Sequence, residues 1–174
     1  MPENGRTCGT CTLCCKLPAI AELSKPAGSW CQFCAPQSGC TVYADRPKVC
    51  RDFRCCWLAE ASYPDHWKPS VCKMILVTQP GGQRLNVHVD PDRPDAWQRE
   101  PYLGDLVAWA RDLVPQGICV VVQAPPRLIG ILPTGPQDLG QLAAGGEVVL
   151  DRRQRPDGVV WRYRRVPIVG EFGG

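Results

Sequence analysis

The chain has 174 residues, 44% of them hydrophobic and 21% charged, which suits one ordinary domain or a small metal-stapled module on a small core and excludes two large domains. Seventeen glycines and eighteen prolines imply many turns and short elements and argue against long helical bundles. A net charge of +3 is too small to indicate nucleic-acid binding by itself.

The opening MPENGRTCGTCTLCCK has no apolar stretch behind a basic one, and no window approaches the roughly 18 apolar residues of a membrane span. The expectation is a cytoplasmic protein without membrane contact. In a reducing compartment, dense cysteine is better explained by metal or redox chemistry than by a disulfide scaffold. Eleven of the twelve cysteines lie in residues 1–72, which divides the chain into a cysteine-rich module, 1–72, and a cysteine-poor remainder, 73–174, expected to form one compact unit with it. The module holds eight Lys/Arg against six Asp/Glu, so ionising eight thiols would add a negative charge that needs cations nearby.

The first cysteine group is Cys8-Gly-Thr-Cys11-Thr-Leu-Cys14-Cys15. Two intervening residues let a tight turn bring both sulfurs to one ion with backbone N–H groups aimed at the thiolates, and Gly9 eases the turn. Neighbouring Cys14 and Cys15 suit two ions or a bridging thiolate. A short helix is expected at Ile20–Leu23. The second group is Trp30-Cys31-Gln-Phe-Cys34 with Gly39-Cys40. The third, beginning with Arg46-Pro47 where another helix is expected to start, runs Lys48-Val49-Cys50-Arg51-Asp52-Phe53-Arg54-Cys55-Cys56-Trp57. Here Arg46, Lys48, Arg51 and Arg54 alternate with thiols and are candidates to offset thiolate charge and donate N–H···S bonds. Ten cysteines in three ligand-spaced groups form a strong signal. Cys56 and Cys72 are doubtful members, and Cys119, inside the apolar run Ile118-Cys119-Val120-Val121, reads as a buried hydrophobe.

From Met74 the pattern changes. Met74–Thr78 and Leu85–Val89 flank Gln79-Pro80-Gly81-Gly82 as a β-hairpin. Ala96 to Val114, with Asp95 as N-cap, carries Leu103, Leu106, Val107, Ala110 and Leu113 at helical spacing and ends at Pro115. Ile118–Gln123 and Arg127–Leu132 read as strands, and Val148–Arg152 and Val159–Val166 as a final hairpin. The fold class is α+β: an irregular cysteine-rich metal-binding module packed on a small antiparallel sheet with one main helix.

Cys8–Cys15, Gly39-Cys40-Thr-Val-Tyr43 followed by Arg46-Pro47, and Cys50-Arg51-x-Phe53-x-Cys55-x-Trp57 resemble the motifs of the YkgJ-like cysteine-cluster proteins, described as zinc- or iron-chelating domains. The likeness covers residues 8–57 and extends weakly through Val89-Asp90-Pro91 and Ala96-Trp97 to Tyr102. It implies metal ligation by Cys8, Cys11, Cys14, Cys15, Cys31, Cys40, Cys50 and Cys55, with Cys34 as a further ligand. It implies no particular reaction.

Zinc in a structural or regulatory role is the preferred reading, since eight thiolates suit two tetrahedral sites. The alternative is an iron–sulfur protein for electron transfer or oxygen and redox sensing, although the Cys-Pro that closes a ferredoxin-type loop is missing after Cys15. A thiol–disulfide oxidoreductase built on Cys31 and Cys34 ranks below both, because no βαβ pattern surrounds the pair. No catalytic residue is nominated. His66 reads as a loop residue and His88 as an exposed strand residue; phosphate-binding, G-x-S-x-G and H-E-x-x-H motifs are missing. Arginines cluster at 152–165, but alternation places Trp161 and Tyr163 on one face and Arg162 and Arg164 on the other, as on a solvated sheet face, so nucleic acid is not an expected partner.

Overall fold

A computed structural model describes residues 5–167 of the chain. Its architecture is mixed α and β, with a cysteine-rich front, a central sheet and a two-stranded ribbon behind. Among the described residues, no helix is long and apolar enough to cross a membrane.

The front is made of turns. Leu13–Cys15 and Ala21–Leu23 are single 3-10 turns, β1 (Cys34–Ala35) and β2 (Gly39–Cys40) form a minimal hairpin, and α1 (Lys48–Asp52), α2 (Cys56–Ala59) and α3 (Pro69–Cys72) are helices of one turn or slightly more. Such short pieces cannot hold themselves together by helix propensity. They are fastened by side chains that reach the rest of the molecule. Leu13, Leu17, Trp57 and Leu58 enter the same hydrophobic cluster as Met74, Leu76, Val87 and Leu106. Arg6 donates to the carbonyls of Trp57, Glu60 and Tyr63 and stacks on the Trp57 ring. Lys16, between the first cysteine group and the turn at Leu17, lies 2.6 Å from both Asp90 Oδ1 and Asp92 Oδ2, just beyond the end of a strand.

The sheet runs in the order β3 (Met74–Thr78), β4 (Arg84–Val89), β5 (Cys119–Ala124), β6 (Arg127–Leu132) and β7 (Gly135–Gln141). Neighbours are antiparallel except β4 and β5, which are parallel because the main helix, α4 (Tyr102–Leu113), carries the chain across between them. Both faces of β5 are covered, which explains its unbroken apolar run. Val120 and Val122 join the cluster beneath the helices, whereas Cys119 and Val121 join a second cluster behind the sheet with Leu128, Val148 and Tyr163. Cys119 is thus a core residue, as its sequence context indicates.

Three expectations need adjusting. The helix from Ala96 is broken: Ala96–Gln98 is a 3-10 turn and α4 begins only at Tyr102. Pro101 disfavours helical geometry in the residue before it, and Asp95 pairs with Arg99 without capping the turn. Strand β7 was not expected from Gly135-Pro136-Gln137-Asp138, and it extends the sheet beyond β6. The last hairpin is longer than its apolar pattern suggests, with β8 (Glu147–Arg155) and β9 (Gly158–Val166) paired over nine positions as a separate two-stranded sheet.

Candidate metal centre

The C-x-x-C segments fold as their spacing requires. The Cys11 N–H donates to Cys8 O and the Cys34 N–H to Cys31 O, each at 2.9 Å, closing a tight turn around each pair. Gly9 sits at φ +54, where a side chain would be strained. The first and second groups are joined by the Cys31 N–H donating to Cys15 O at 2.9 Å, while the pairing of Cys34 with Cys40 across β1 and β2 folds the second group on itself. Cys50 lies in α1, whose first turn follows Arg46-Pro47.

These segments enclose one cavity of about 370 Å³ lined by seven cysteines: Cys8, Cys11, Cys14, Cys15, Cys31, Cys40 and Cys50. The other walls are mainly apolar, including Ile20, Leu23, Phe33, Val42 and Phe53. Of the two remaining nominated ligands, Cys34 is outside the lining but interacts directly with the Cys15 thiol. Cys55 is buried under the cavity, where Cys8 and Cys11 are its nearest charged-state neighbours. All nine therefore belong to one thiol-rich region. The twelve cysteines are free thiols.

Cys72 ends α3 and does not open a strand. It is 2% exposed, and its sulfur contacts Met74 N–H and the carbonyls of Met74 and Trp67. Cys56 is also buried, with its sulfur 3.5 Å from Thr78 Oγ1. Both sit in the main hydrophobic cluster.

Five of the nine nominated thiols, Cys8, Cys15, Cys34, Cys50 and Cys55, are shifted toward the protonated form. Burial pushes Cys8 and Cys50 up, aided by neighbouring thiols, and Arg54 and Arg46 only partly offset this at Cys8. Cys15 is raised by its hydrogen bond with Cys14 and then by burial. Burial is also the leading cause at Cys34, pushed up to about 12, and at Cys55, pushed up to about 11. A nucleophilic redox cysteine needs the opposite shift, which Cys34 does not show.

Of the cations nominated from the sequence, Arg46 and Arg54 offset thiolate charge, as expected, but without bonds to sulfur among the described contacts. Arg46 stacks on Tyr43, Lys48 pairs with Asp52, Arg51 donates to Arg46 O, and Arg54 donates to Arg51 O and Phe53 O. None of them makes an N–H···S bond among the described contacts; Arg46 and Arg54 act on Cys8 only through their charge. Arg46 lines the cavity, and Lys25, which sequence reasoning missed, lies within electrostatic reach of Cys31, Cys15, Cys14 and Cys50. Lys25 is 6% exposed, and its ammonium donates to the carbonyls of Lys16, Pro18 and Pro26. Burial lowers its pKa, and the charges that counter this come from Cys31, Cys15, Cys14 and Cys50. Among the described contacts it donates to no carboxylate, so ionised thiols are the anions available to balance it.

The histidines take no part. His66 Nε2 lies 2.6 Å from Asp105 Oδ2, which also accepts from Trp67 Nε1, so the pair ties a 3-10 turn to α4. His88 is half-buried on β4, not exposed as expected, and its pKa is lowered by burial.

An all-sulfur donor set suits zinc and iron–sulfur chemistry and not the oxygen-seeking cations. Among the described residues, no group of three or more His, Cys, Asp or Glu is placed to hold a metal ion. No protein-family model, curated protein or solved structure matches the chain.

Proposed function

We propose that this protein binds zinc through the thiolates of the front cavity, in a structural or regulatory role. The observation that supports this reading best is convergence: three cysteine groups separated in sequence line one cavity, with the buried Lys25 ammonium within electrostatic reach of four of their thiols. Seven converging thiols exceed what hydrophobic packing needs. Cys8, Cys11, Cys14, Cys15, Cys31, Cys34, Cys40, Cys50 and Cys55 form the ligand pool. Zinc would supply charge neutralisation and cross-linking there, replacing the hydrophobic core that this module of short turns lacks. Because five of these thiols are shifted toward the protonated form, loading releases protons and becomes tighter as pH rises.

A second reading, an iron–sulfur centre for electron transfer or redox sensing, is favoured by the size of the cavity, which is far larger than one ion. Anaerobic purification followed by elemental analysis and a visible spectrum separates the two. Colourless protein with stoichiometric zinc supports the first. A brown preparation absorbing near ~400 nm, with matched iron and sulfide, supports the second. Metal-free protein with a native fold refutes both.

A further inference from the structure

The β8–β9 ribbon carries the charge of the whole chain. Its residues 147–166 contain six arginines and three carboxylates, a balance of +3, while the remaining residues hold 14 basic against 14 acidic side chains and sum to zero. The ribbon is held at its base only. Leu150 and Trp161 pack toward the body, Tyr163 OH accepts from Val120 N–H and donates to Ile131 O, and Arg165 donates to the carbonyls of Leu139, Gln141 and Leu142. Beyond this base every residue from Arg152 to Val160 is exposed.

The register sorts the side chains. Asp151 pairs with Arg162, Arg153 with Val160 and Arg155 with Gly158, so alternation sets Arg153, Arg155, Arg162 and Arg164 on the face turned away from the body. Asp151 is the one carboxylate there and pairs with Arg164. Arg153, Arg155 and Arg162 have no hydrogen bond or ion pair with another described residue, and exposed Arg152 donates only to Gln154. A solvated sheet face would intersperse charges of both signs; this one presents unpaired cations of a single sign on a narrow, outward-facing, two-stranded support.

We infer that the ribbon is a docking arm for double-helical DNA, engaging the phosphate backbone by laying its arginine face in the major groove. That groove, about 12 Å wide, admits a two-stranded β-ribbon. Guanidinium groups suit phosphate by their planar paired donors. The charge is local rather than global, which is why the net +3 conceals it. No residue of the arm lines the thiol cavity, and the inference does not depend on metal binding.

The test is fluorescence anisotropy of the full protein with a mixed-sequence duplex. If Arg153, Arg155 and Arg162 each neutralise a phosphate, Kd weakens roughly 40-fold between about 50 and 200 mM salt, since the slope is about 0.9 per contact. Replacing Arg153, Arg155 and Arg162 together by Gln should remove most of that salt effect, while replacing all three by Lys should keep most of the slope. Metal content and circular dichroism should be unchanged in both variants. Salt-independent binding, a Gln variant that binds like wild type, a Lys variant as weak as the Gln variant, or binding to anionic vesicles or polyglutamate in preference to the duplex would each overturn the inference.

Discussion

Lys25→Met separates the two states of the thiol cavity, because the substitution should act with different strength on each. In the metal-free protein the Lys25 ammonium is a buried charge held by the carbonyl dipoles of Lys16, Pro18 and Pro26. Methionine removes three hydrogen bonds, about 1–2 kcal/mol each, and also removes the desolvation penalty of the ammonium, several kcal/mol. The terms nearly cancel, and apoprotein stability should move by no more than about 1–2 kcal/mol. If metal loads as proposed, Cys14, Cys15, Cys31 and Cys50 would be thiolates within electrostatic reach of Lys25, which would serve as their buried counter-charge. Removing one partner of such an array costs about 3–5 kcal/mol, which by linkage appears as a roughly 10²–10³-fold loss of metal affinity. Affinity is measured by competition with a chromophoric chelator, and stability by guanidinium unfolding of apo and loaded forms. A Lys25→Met protein with wild-type metal affinity, or one whose apo and loaded forms are weakened equally, would refute the assignment of Lys25 as counter-charge.

Cys11→Ser and Cys50→Ser should each release metal and loosen residues 8–57, seen as lost occupancy and faster amide exchange; full occupancy with native exchange protection would remove both from the ligand set. His88 is lowered by burial, so between its folded pKa and about 6.5 the unfolded chain binds more protons than the folded one, and acid in that window destabilises the protein. His88→Gln should flatten that part of the stability–pH profile measured by urea titration. At Gly130 a Cβ would lie 2.2 Å from Tyr163 Cδ2, so Gly130→Ala should lower stability by about 1–3 kcal/mol, read as a lower Tm, by forcing the ribbon base off the sheet. Tyr163→Phe leaves Val120 N–H without its partner and should cost a similar about 1–3 kcal/mol by the same measurement.

What was legible in the sequence followed from short-range rules. The strands at Met74–Thr78 and Arg127–Leu132 alternate or run apolar between turn residues, and they form where expected. The C-x-x-C turns are local geometry, and they also form. Strand β7 was hidden because Gly135-Pro136-Gln137-Asp138 has no strand-like pattern; it is defined by its partner β6, not by its own propensity. The break before α4 did have a signal, in Pro101, which the apolar spacing outweighed on paper. Lys25 had none: a single lysine between serine and proline looks like solvated loop, and only the folding of three distant cysteine groups to within electrostatic reach of it gives it a role.

The position of Lys16 explains how a front made of single turns can present thiols in fixed places. Lys16 follows Cys15 directly, and its ammonium is held by buried Asp90 at the end of β4 and by Asp92. Asp90 is itself fixed, accepting from Asp92 N–H with its side chain and donating its own N–H to Lys73 O. Burial opposes the charge on Lys16, but the two carboxylates outweigh it and raise its pKa, so the tie persists across the neutral range. Leu13 and Leu17 on either side are anchored in the hydrophobic cluster shared with the sheet. The first cysteine group is therefore pinned at three adjacent points to the most regular part of the molecule. The sheet provides the rigidity, and the turns need only aim the sulfurs. Asp90→Asn tests this directly: losing one strong partner of a buried ammonium should cost about 3 kcal/mol in global stability. It should also speed exchange at Cys15 and Cys31 N–H more than at the β5 amides. Uniform acceleration across the chain would show that the ion pair supports the fold as a whole and has no particular bearing on the cavity.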